Sequence, residues 1–476
     1  MLFNSLEFAF FLPVVFILYW RIPGKDRWLL LLLASYYFYM RWNWIYSVLI
    51  LGVTLITFCS GLFIEKYFAE GGGKNRRIVL YGALTANLGI LFFFKYFNFV
   101  SENFFALTQN FSDSSSALLL DIVLPVGISF YIFQAMSYII DVYKGNMQVE
   151  HHFGKFAAYI SFFPQLVAGP IERTENLLPQ IKTVKDFDYD NAVYGLKKIV
   201  WGYLKKIVIA DTLAVDINRV YSSLHSYTGF ALIIVAVFFS IQIYCDFSGY
   251  SDIAIGTAKL FNINLMENFK SPYFSTSIKE FWMRWHISLS SWFSDYVYIP
   301  LGGNRCGNLR AKLNIVITFL LSGLWHGAAW NFVVWGGIHG LGRAMERKKK
   351  VFYKLKWFRY LSVFTFCTIC WVFFRAESLY DVYYIFSHAF NGMANIKHYV
   401  ISGFADLGIG WFKLTYLVFL LSILILYDYA SLKGDVIKRI SQWPFVCRWG
   451  AYIFICLIVV LFSQKGTPEE FIYFQF

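Results

Sequence analysis

Long apolar runs recur along this chain of 476 residues, from 8–19 near its start to 449–464 near its end. A transmembrane helix needs about 20 mainly apolar residues, and several runs approach that length. Hydrophobic residues make up 58% of the chain and charged residues 15%, against about 25% charged in a soluble domain. The runs are continuous rather than alternating in period two, which argues against a β-barrel. The sequence therefore predicts an all-α polytopic membrane protein.

The apolar runs predict about 11–12 transmembrane helices, at 6–22, 28–42, 44–64, 77–98, 122–142, 193–213, 228–247, 312–325, 328–345, 357–376, 411–430 and 449–464. Two further apolar segments, 155–171 and 281–301, are interrupted by Pro, Gly or charged residues. Such backbone is tolerated at membrane depth only where protein or a water-filled cavity surrounds it. We expect both segments to be re-entrant or interfacial helices around a central catalytic chamber. The short linkers predict one membrane domain over 1–476.

Lys and Arg collect between the apolar runs and give a net charge of +13. In a soluble protein this charge would suggest nucleic acid, but here it follows the positive-inside pattern, so no nucleic-acid partner is expected. The basic segments 172–206 and 343–359 are predicted to be cytoplasmic, where they could also hold the phosphates of an anionic ligand. No Lys or Arg lies between Lys95 and Lys144. This alternation predicts a cytoplasmic (inner) membrane protein with its N-terminus and its tail, 465–476, outside.

The cysteines and glycine-rich stretches indicate neither a metal site nor a nucleotide site. The seven cysteines are scattered, and the Cys367–Cys370 pair has no second pair or nearby histidine, so helix packing is the preferred interpretation. The stretch GGGKNRR at 71–77 lacks the spacing of a phosphate-binding loop. We expect no metal and no bound cofactor.

Three polar clusters interrupt the apolar sequence, at 244–263, 279–305 and 322–340. Ionisable groups at membrane depth are costly and usually mark function. The candidate site residues in these clusters are Asp246, Arg284, His286, Asp295, Ser322, Trp325 and His326.

His326 is the first candidate for a general base. Trp325 and Gly327 flank it, and the glycine is predicted to open space beside the ring. A buried neutral imidazole can accept a proton, although a core histidine bonded to a neighbouring helix is the alternative. For His286, structural and catalytic roles are equally open. His339 lies thirteen residues after His326, about 220° round a continuous helix, and is interpreted as packing or cavity lining.

These clusters resemble the membrane-bound O-acyltransferase family, and within it the bacterial branch that acetylates polysaccharides, typified by the membrane subunit of alginate O-acetylation. The resemblance covers nearly the whole chain and includes FFPQLVAGPIER, YCDFSGYSDIAIG, FWMRWHISLSSWFSDYVYIPLGGNR and SGLWHGAAWNF. It implies that His326 is the catalytic histidine and His286 the second chamber histidine, within a catalytic core segment at 279–340. It also implies an acyl donor that enters from the cytoplasm and a separate extracytoplasmic SGNH-type acetyltransferase partner.

The predicted function is transfer of an acetyl group from a thioester, acetyl-CoA, for O-acetylation of a cell-surface or secreted polysaccharide. Trp325, Ser322 or backbone N–H groups could stabilise the oxyanion. Arg284, Asp295 and Asp246 are further candidates for lining the chamber or the donor site. The alternatives are D-alanyl transfer to teichoic acid from a carrier-protein thioester, a transporter or flippase for a lipid-linked sugar, and a non-enzymatic scaffold.

The chain ends in FIYFQF, residues 471–476. One interpretation is an aromatic anchor at the membrane surface. The other makes Tyr473 an acyl relay, because a phenol with a pKa of about 10 is deprotonated by a histidine base more readily than an ordinary alcohol.

Overall fold

The computed structural model describes residues 1–108, 118–346, 355–462 and 471–472. Within these ranges the chain consists of helices and loops, with no strand. The prediction of an all-α protein is therefore confirmed.

The chain divides into two compact units. The first contains residues 1–196 with 254–266, and the second contains residues 197–253 together with the chain from Glu267 onward. Two helices, α10 and α12, contribute residues to both units. The prediction of a single domain over 1–476 stays a prediction.

The helices of the first unit are α1 (Leu6–Arg21), α2 (Arg27–Met40), α3 (Ile45–Ala69), α4 (Gly73–Leu91), α5 (Phe97–Thr108), α6 (Ile128–Lys144), α7 (Phe153–Ser161), α8 (Phe163–Leu166) and α9 (Thr174–Lys182). The two shared helices, and α11 between them, are α10 (Tyr189–Tyr203), α11 (Asp211–Ser222) and α12 (Phe230–Leu260). The remaining helices of the second unit are α13 (Ile278–Arg284), α14 (Ile287–Phe293), α15 (Asn308–His326), α16 (Trp330–Met345), α17 (Lys356–Arg375), α18 (Leu379–His388), α19 (Ile396–Asp406), α20 (Trp411–Ser431), α21 (Val436–Ser441) and α22 (Phe445–Phe462).

Six helical stretches in the described part of the chain are long and apolar enough to cross a membrane: 45–69, 73–108, 230–260, 356–375, 411–431 and 445–462. Helices of 14 to 19 residues also form at the other six predicted spans. The chain is a multi-pass membrane protein, as its hydrophobic pattern predicted.

The two segments predicted not to cross the membrane are short, broken helices. Segment 155–171 lies in α7 and α8, of nine and four residues, and is almost wholly buried in the first unit. Two buried amides bond to it and to each other: Gln134 donates from Nε2 to the carbonyl of Tyr159, and Gln165 donates to Oε1 of Gln134. Segment 281–301 lies in α13, α14 and a π-helical turn, Ser294–Tyr298. The prediction of short, protein-enclosed backbone is confirmed for the first segment, and that of short helices for both.

A π-helical turn, Leu204–Ala210, follows α10 and faces α12 within the second unit. A Cβ on Gly202 would lie 2.7 Å from the carbonyl oxygen of Gly249, so the two backbones meet closely. Next to this contact, Lys205 pairs with Asp252 at 2.7 Å and Lys206 pairs with Asp246 at 2.9 Å. These lysines belong to the basic segment predicted to hold donor phosphates. That role is wrong for Lys205 and Lys206, because both are buried against aspartates of α12.

Candidate active site

Close packing of α15 against α16 positions His326. A Cβ on Gly323 would lie 2.2 Å from the carbonyl oxygen of Phe332, and one on Gly336 would lie 2.3 Å from the carbonyl oxygen of Phe319. Glycines at such points let helix backbones approach closely, which is typical of helix pairs in membranes. His326 is the last residue of α15, and Gly327 follows it in extended backbone, so the hairpin presents the imidazole at a helix end.

Gly327 does not open space beside the imidazole. A Cβ at this position would lie 2.2 Å from Cδ2 of the Phe332 ring, which already fills the space. The prediction about this glycine was therefore wrong: the residue is small because a neighbouring ring packs onto its backbone.

Aromatic rings enclose His326. Its side chain is only 3% exposed. The ring centroids of Trp325, Trp335 and Phe374 lie 5.0, 5.0 and 5.4 Å from that of the imidazole. This enclosure excludes bulk water, which strengthens electrostatic interactions inside the site.

Hydrogen bonds hold His286. It lies between α13 and α14 with φ 44° and ψ 54°, a left-handed conformation that is uncommon for a residue other than glycine. Its Nδ1 lies 3.2 Å from Oδ1 of Asn268, which also accepts from the backbone N–H and the hydroxyl of Ser288 at 3.1 and 2.9 Å. Strained backbone of this kind persists only where the surroundings over-determine it, and it clusters at functional sites.

Asn268 also determines the tautomer of His286. Because the amide oxygen is an acceptor, the neutral imidazole carries its proton on Nδ1 and keeps the Nε2 lone pair. Burial lowers the pKa of His286 to about 3, so the ring is neutral at physiological pH. Sequence reasoning missed Asn268, which lies in the loop before α13 and carries no local sign of its role.

The structure brings His286 and His326 together. Their ring centroids are 6.5 Å apart, although 40 positions separate them in the chain. Trp325 lies beside both, with its ring 6.1 Å from His286 and 5.0 Å from His326. One small reacting group could contact both imidazoles, so acid–base chemistry has two nitrogen bases available at a single point.

His339 packs against Trp335, whose ring also contacts His326. It is fully buried, and Trp282 donates from Nε1 to its Nδ1 at 3.2 Å. The helix breaks between His326 and His339, so the angle calculated for a continuous helix does not apply. The burial of His339 fits the interpretation as packing or cavity lining, which stays a prediction.

A cavity of about 270 Å³ lies one helical turn before His326, at Ser322, and we call it the Ser322 cavity. Apolar and aromatic side chains form most of its wall. Several hydroxyl groups and two cations, Lys279 and Arg343, form the remainder. The lining residues are Lys279, Trp282, Met283, Leu289, Ser290, Phe293, Ser294, Tyr298, Ile315, Thr318, Phe319, Ser322 and Arg343. An amphipathic anionic ligand matches this lining. The sequence indicated Ser322 but not Lys279.

The remaining predicted positions lie in other surroundings. Arg284 is half-buried and pairs with Glu280 at 2.7 Å on the same helix, and Asp295 is exposed in the π-helical turn after α14. Their predicted roles as lining residues stay predictions. Asp246 is buried on α12, where it pairs with Lys206 and accepts a hydrogen bond from the backbone N–H of Ile472. Tyr473 lies outside the described residues.

Comparison with known proteins places this histidine pair in a matched segment. The model of the membrane-bound O-acyltransferase family matches residues 147–386, which include Asn268, His286 and His326. The chain is 41% identical over 389 residues to a probable alginate O-acetylase AlgI of Pseudomonas putida, covering 80% of this chain and 78% of that protein.

Two other relatives are named for different activities. A peptidoglycan O-acetyltransferase of Helicobacter pylori is 35% identical over 417 residues, covering 80% of this chain and 78% of that protein. A teichoic acid D-alanyltransferase of Bacillus subtilis is 28% identical over 310 residues, covering 61% of this chain and 74% of that protein.

Proposed function

Because this chain belongs to the membrane-bound O-acyltransferase family and is an O-acyltransferase, we propose that it transfers acetyl groups from cytoplasmic acetyl-CoA for O-acetylation of a cell-surface or secreted polysaccharide. The observation that carries the mechanism is the pair of buried imidazoles, 6.5 Å apart, within the matched segment. The O-acetylating relatives of P. putida and H. pylori support acetyl as the group transferred. D-alanyl transfer has weaker support, since that relative is less similar and covers less of the chain.

In the proposed mechanism, His326 is the general base. Its imidazole takes the proton of the acceptor hydroxyl while that oxygen attacks the thioester carbonyl carbon. The C–S bond then breaks, and the departing sulfur takes the proton back from the imidazolium, so ester and free thiol form without any other reactant. His286 stays neutral, and its Nε2 accepts a hydrogen bond from the same reacting group.

Trp335 adds a donor for the oxyanion that sequence reasoning did not consider. Its side chain is fully buried, and its Nε1 has no hydrogen-bond partner among the described residues. A buried donor without a partner is costly, and its ring lies 5.0 Å from that of His326. The indole N–H is therefore suited to stabilise negative charge that develops on the carbonyl oxygen, as Trp325 and Ser322 also could.

The Ser322 cavity is the proposed donor site. Its apolar wall suits the aliphatic arm of coenzyme A, and two cations suit the phosphates, Lys279 as a point charge and Arg343 as a planar donor. Ser322 lies four residues before His326 on α15, so a donor in this cavity would have the base about one helical turn away.

The acceptor that this chain acylates is proposed to be its own Tyr473, which passes the acetyl group to an extracytoplasmic SGNH-type acetyltransferase. In support, Phe471 and Ile472, the two residues before Tyr473, are buried in the second unit. The ring of Phe471 lies 5.6 Å from that of Phe247, which itself lies 4.6 Å from His286. A phenyl ester retains much of the transfer potential of a thioester, so an external serine could accept the group without ATP.

Two measurements test this proposal. Membranes that contain the chain should release coenzyme A thiol from acetyl-CoA, and membranes with His326→Ala should not. Mass spectrometry of the surface polymer should show that acetylation is lost in Tyr473→Phe, which removes one oxygen and keeps the aromatic ring. Thiol release that does not depend on His326 would overturn the mechanism. Full acetylation by Tyr473→Phe would show that the tail is an anchor and that Tyr473 carries no acyl group.

The proposed orientation places both termini outside the cytoplasmic membrane and 343–359 inside. Cysteines introduced at positions 100–118 or 466–470, which exclude the buried Phe471 and Ile472, should react with a reagent that cannot cross the membrane. Labelling of position 350 from outside would contradict this topology.

A further inference from the structure

The described part of the tail lies in a small binding site on α12, which we call the tail cup and define as Asp246, Phe247 and Tyr250. The ring of Phe471 lies 5.6 Å from that of Phe247 and 4.8 Å from that of Tyr250. The backbone N–H of Ile472 donates to Oδ2 of Asp246 at 2.8 Å. The tail is thus held both by ring packing and by a hydrogen bond to a charged acceptor.

A buried lysine also holds the carboxylate of Asp246. Its other oxygen, Oδ1, lies 2.9 Å from Nζ of Lys206, and that lysine also pairs with Asp211 at 2.9 Å. A carboxylate held in this way presents one oxygen in a fixed direction, and a hydrogen bond to a charged group is stronger than one between neutral groups. The bond reaches the main chain, so it fixes the position of the backbone one residue before Tyr473 whatever side chain follows.

We propose that Asp246 is a positioning residue that docks the C-terminal tail through the backbone of Ile472. This inference rests on the proposed function for its purpose, since docking would bring the acceptor to the histidine pair. Asp246 touches no reacting atom in this scheme. Lys206 holds the carboxylate. The ring of Phe247 contacts Phe471 of the tail and also contacts His286.

Docking can be measured without activity by the reactivity of a cysteine at position 472. In the full-length chain, the exposed cysteines Cys59, Cys306, Cys447 and Cys456 are replaced by serine and Ile472 by cysteine. The native side chain is only 2% exposed, so a small neutral maleimide should label this position slowly. The substitution keeps the backbone N–H that Asp246 binds.

Asp246→Leu removes both acceptor oxygens at similar size and should speed labelling about tenfold to a hundredfold. Asp246→Asn keeps one acceptor oxygen for two donors, Lys206 and the N–H of Ile472, so its labelling rate should lie between those of the parent and Asp246→Leu. Asp211→Asn is the matched control, because it removes the other carboxylate of Lys206 and leaves the bond to Ile472 intact. Equal labelling of Asp246→Leu and the parent would overturn the proposal, as would equal acceleration by Asp211→Asn.

A second variant acts from the tail and does not disturb the buried ion pairs. Ile472→Pro removes the N–H itself, because proline has no amide hydrogen, whereas Ile472→Val keeps it. Polymer acetylation should be about tenfold or more lower in the proline variant than in the valine variant. Equal activity of the two variants would contradict docking through this bond.

Failure of docking and failure of the tyrosine relay are distinguishable. If Tyr473 carries no acyl group, Tyr473→Phe acetylates normally, while the labelling differences at position 472 remain. If Asp246 does not dock the tail, the labelling differences vanish, whatever Tyr473→Phe does.

Discussion

The two histidines of the site are held in different ways. Asn268 fixes His286 by a hydrogen bond to Nδ1, on a backbone in the left-handed region. His326 is enclosed by the rings of Trp325, Trp335 and Phe374 at the end of a regular helix. A hydrogen bond selects one tautomer and one direction for the imidazole, whereas ring packing fixes its position by shape and excludes water. The difference teaches that orientation by a hydrogen bond and enclosure by aromatic rings come from separate parts of the second unit.

The largest expected effect is a loss of acyl transfer that distinguishes the roles of the two imidazoles. His326→Ala should lower acyl transfer about 10²–10⁴-fold, the usual range for removal of a general base, with normal amounts of protein in the membrane. His286→Ala should lose less, because Asn268 keeps its bonds to Ser288. Thiol release from acetyl-CoA by purified membranes measures both. A larger loss in His286→Ala would reverse the assignment of the base.

The second largest effect is expected from Trp335, one of the aromatic residues that enclose His326. Trp335→Phe keeps an aromatic ring and removes the indole N–H, so kcat should fall about 10²–10³-fold if this donor stabilises the oxyanion. Trp371→Phe is the matched control, since Trp371 is also buried beside Trp335 but donates its N–H to the hydroxyl of Tyr273. Similar kcat values for the two variants would show that Trp335 only packs.

Changing the partner of His286 should alter the pH dependence of transfer. Asn268→Asp places a carboxylate against Nδ1, which favours the imidazolium and raises the pKa of His286 from about 3. The neutral form of His286, which the proposed mechanism requires, is then lost as pH falls through the new pKa, so kcat/KM should decrease on the acid side and recover at higher pH. Measurements from pH 5 to pH 9 check this.

Asn268→Leu is the control for that profile. It removes the acceptor without adding charge, so activity should fall by the same factor at every pH, with a loss of stability of about 1–3 kcal/mol from the unpaired donors. A shifted profile in this variant would contradict the assigned role of Asn268.

The smallest effect concerns the Ser322 cavity. Lys279→Gln and Arg343→Gln should each raise KM for acetyl-CoA about twofold to fivefold and leave kcat unchanged, because partly exposed charge pairs are weak. Lys270→Gln, an exposed cation outside the cavity lining, is the control. An unchanged KM in both cavity variants would show that the donor phosphates bind elsewhere.

The sequence by itself determined the class of fold and one catalytic candidate. Apolar composition and run length are properties of contiguous residues, and the cost of placing backbone in lipid acts on each segment separately. This is why the helices at the predicted spans and the short helices in 155–171 and 281–301 could be predicted. His326 could also be recognised as a candidate from the sequence, because the residues that identify it are adjacent in the chain.

Only the tertiary structure decided the contacts made across long stretches of chain. Asn268 meets His286 across 18 positions, His286 meets His326 across 40, and Asp246 meets Ile472 across 226. The space beside Gly327 depends on where the ring of Phe332 packs, and the lysines after α10 depend on which aspartates of α12 face them. Such pairings are selected by the packing free energy of many residues together, which no single segment of the sequence contains.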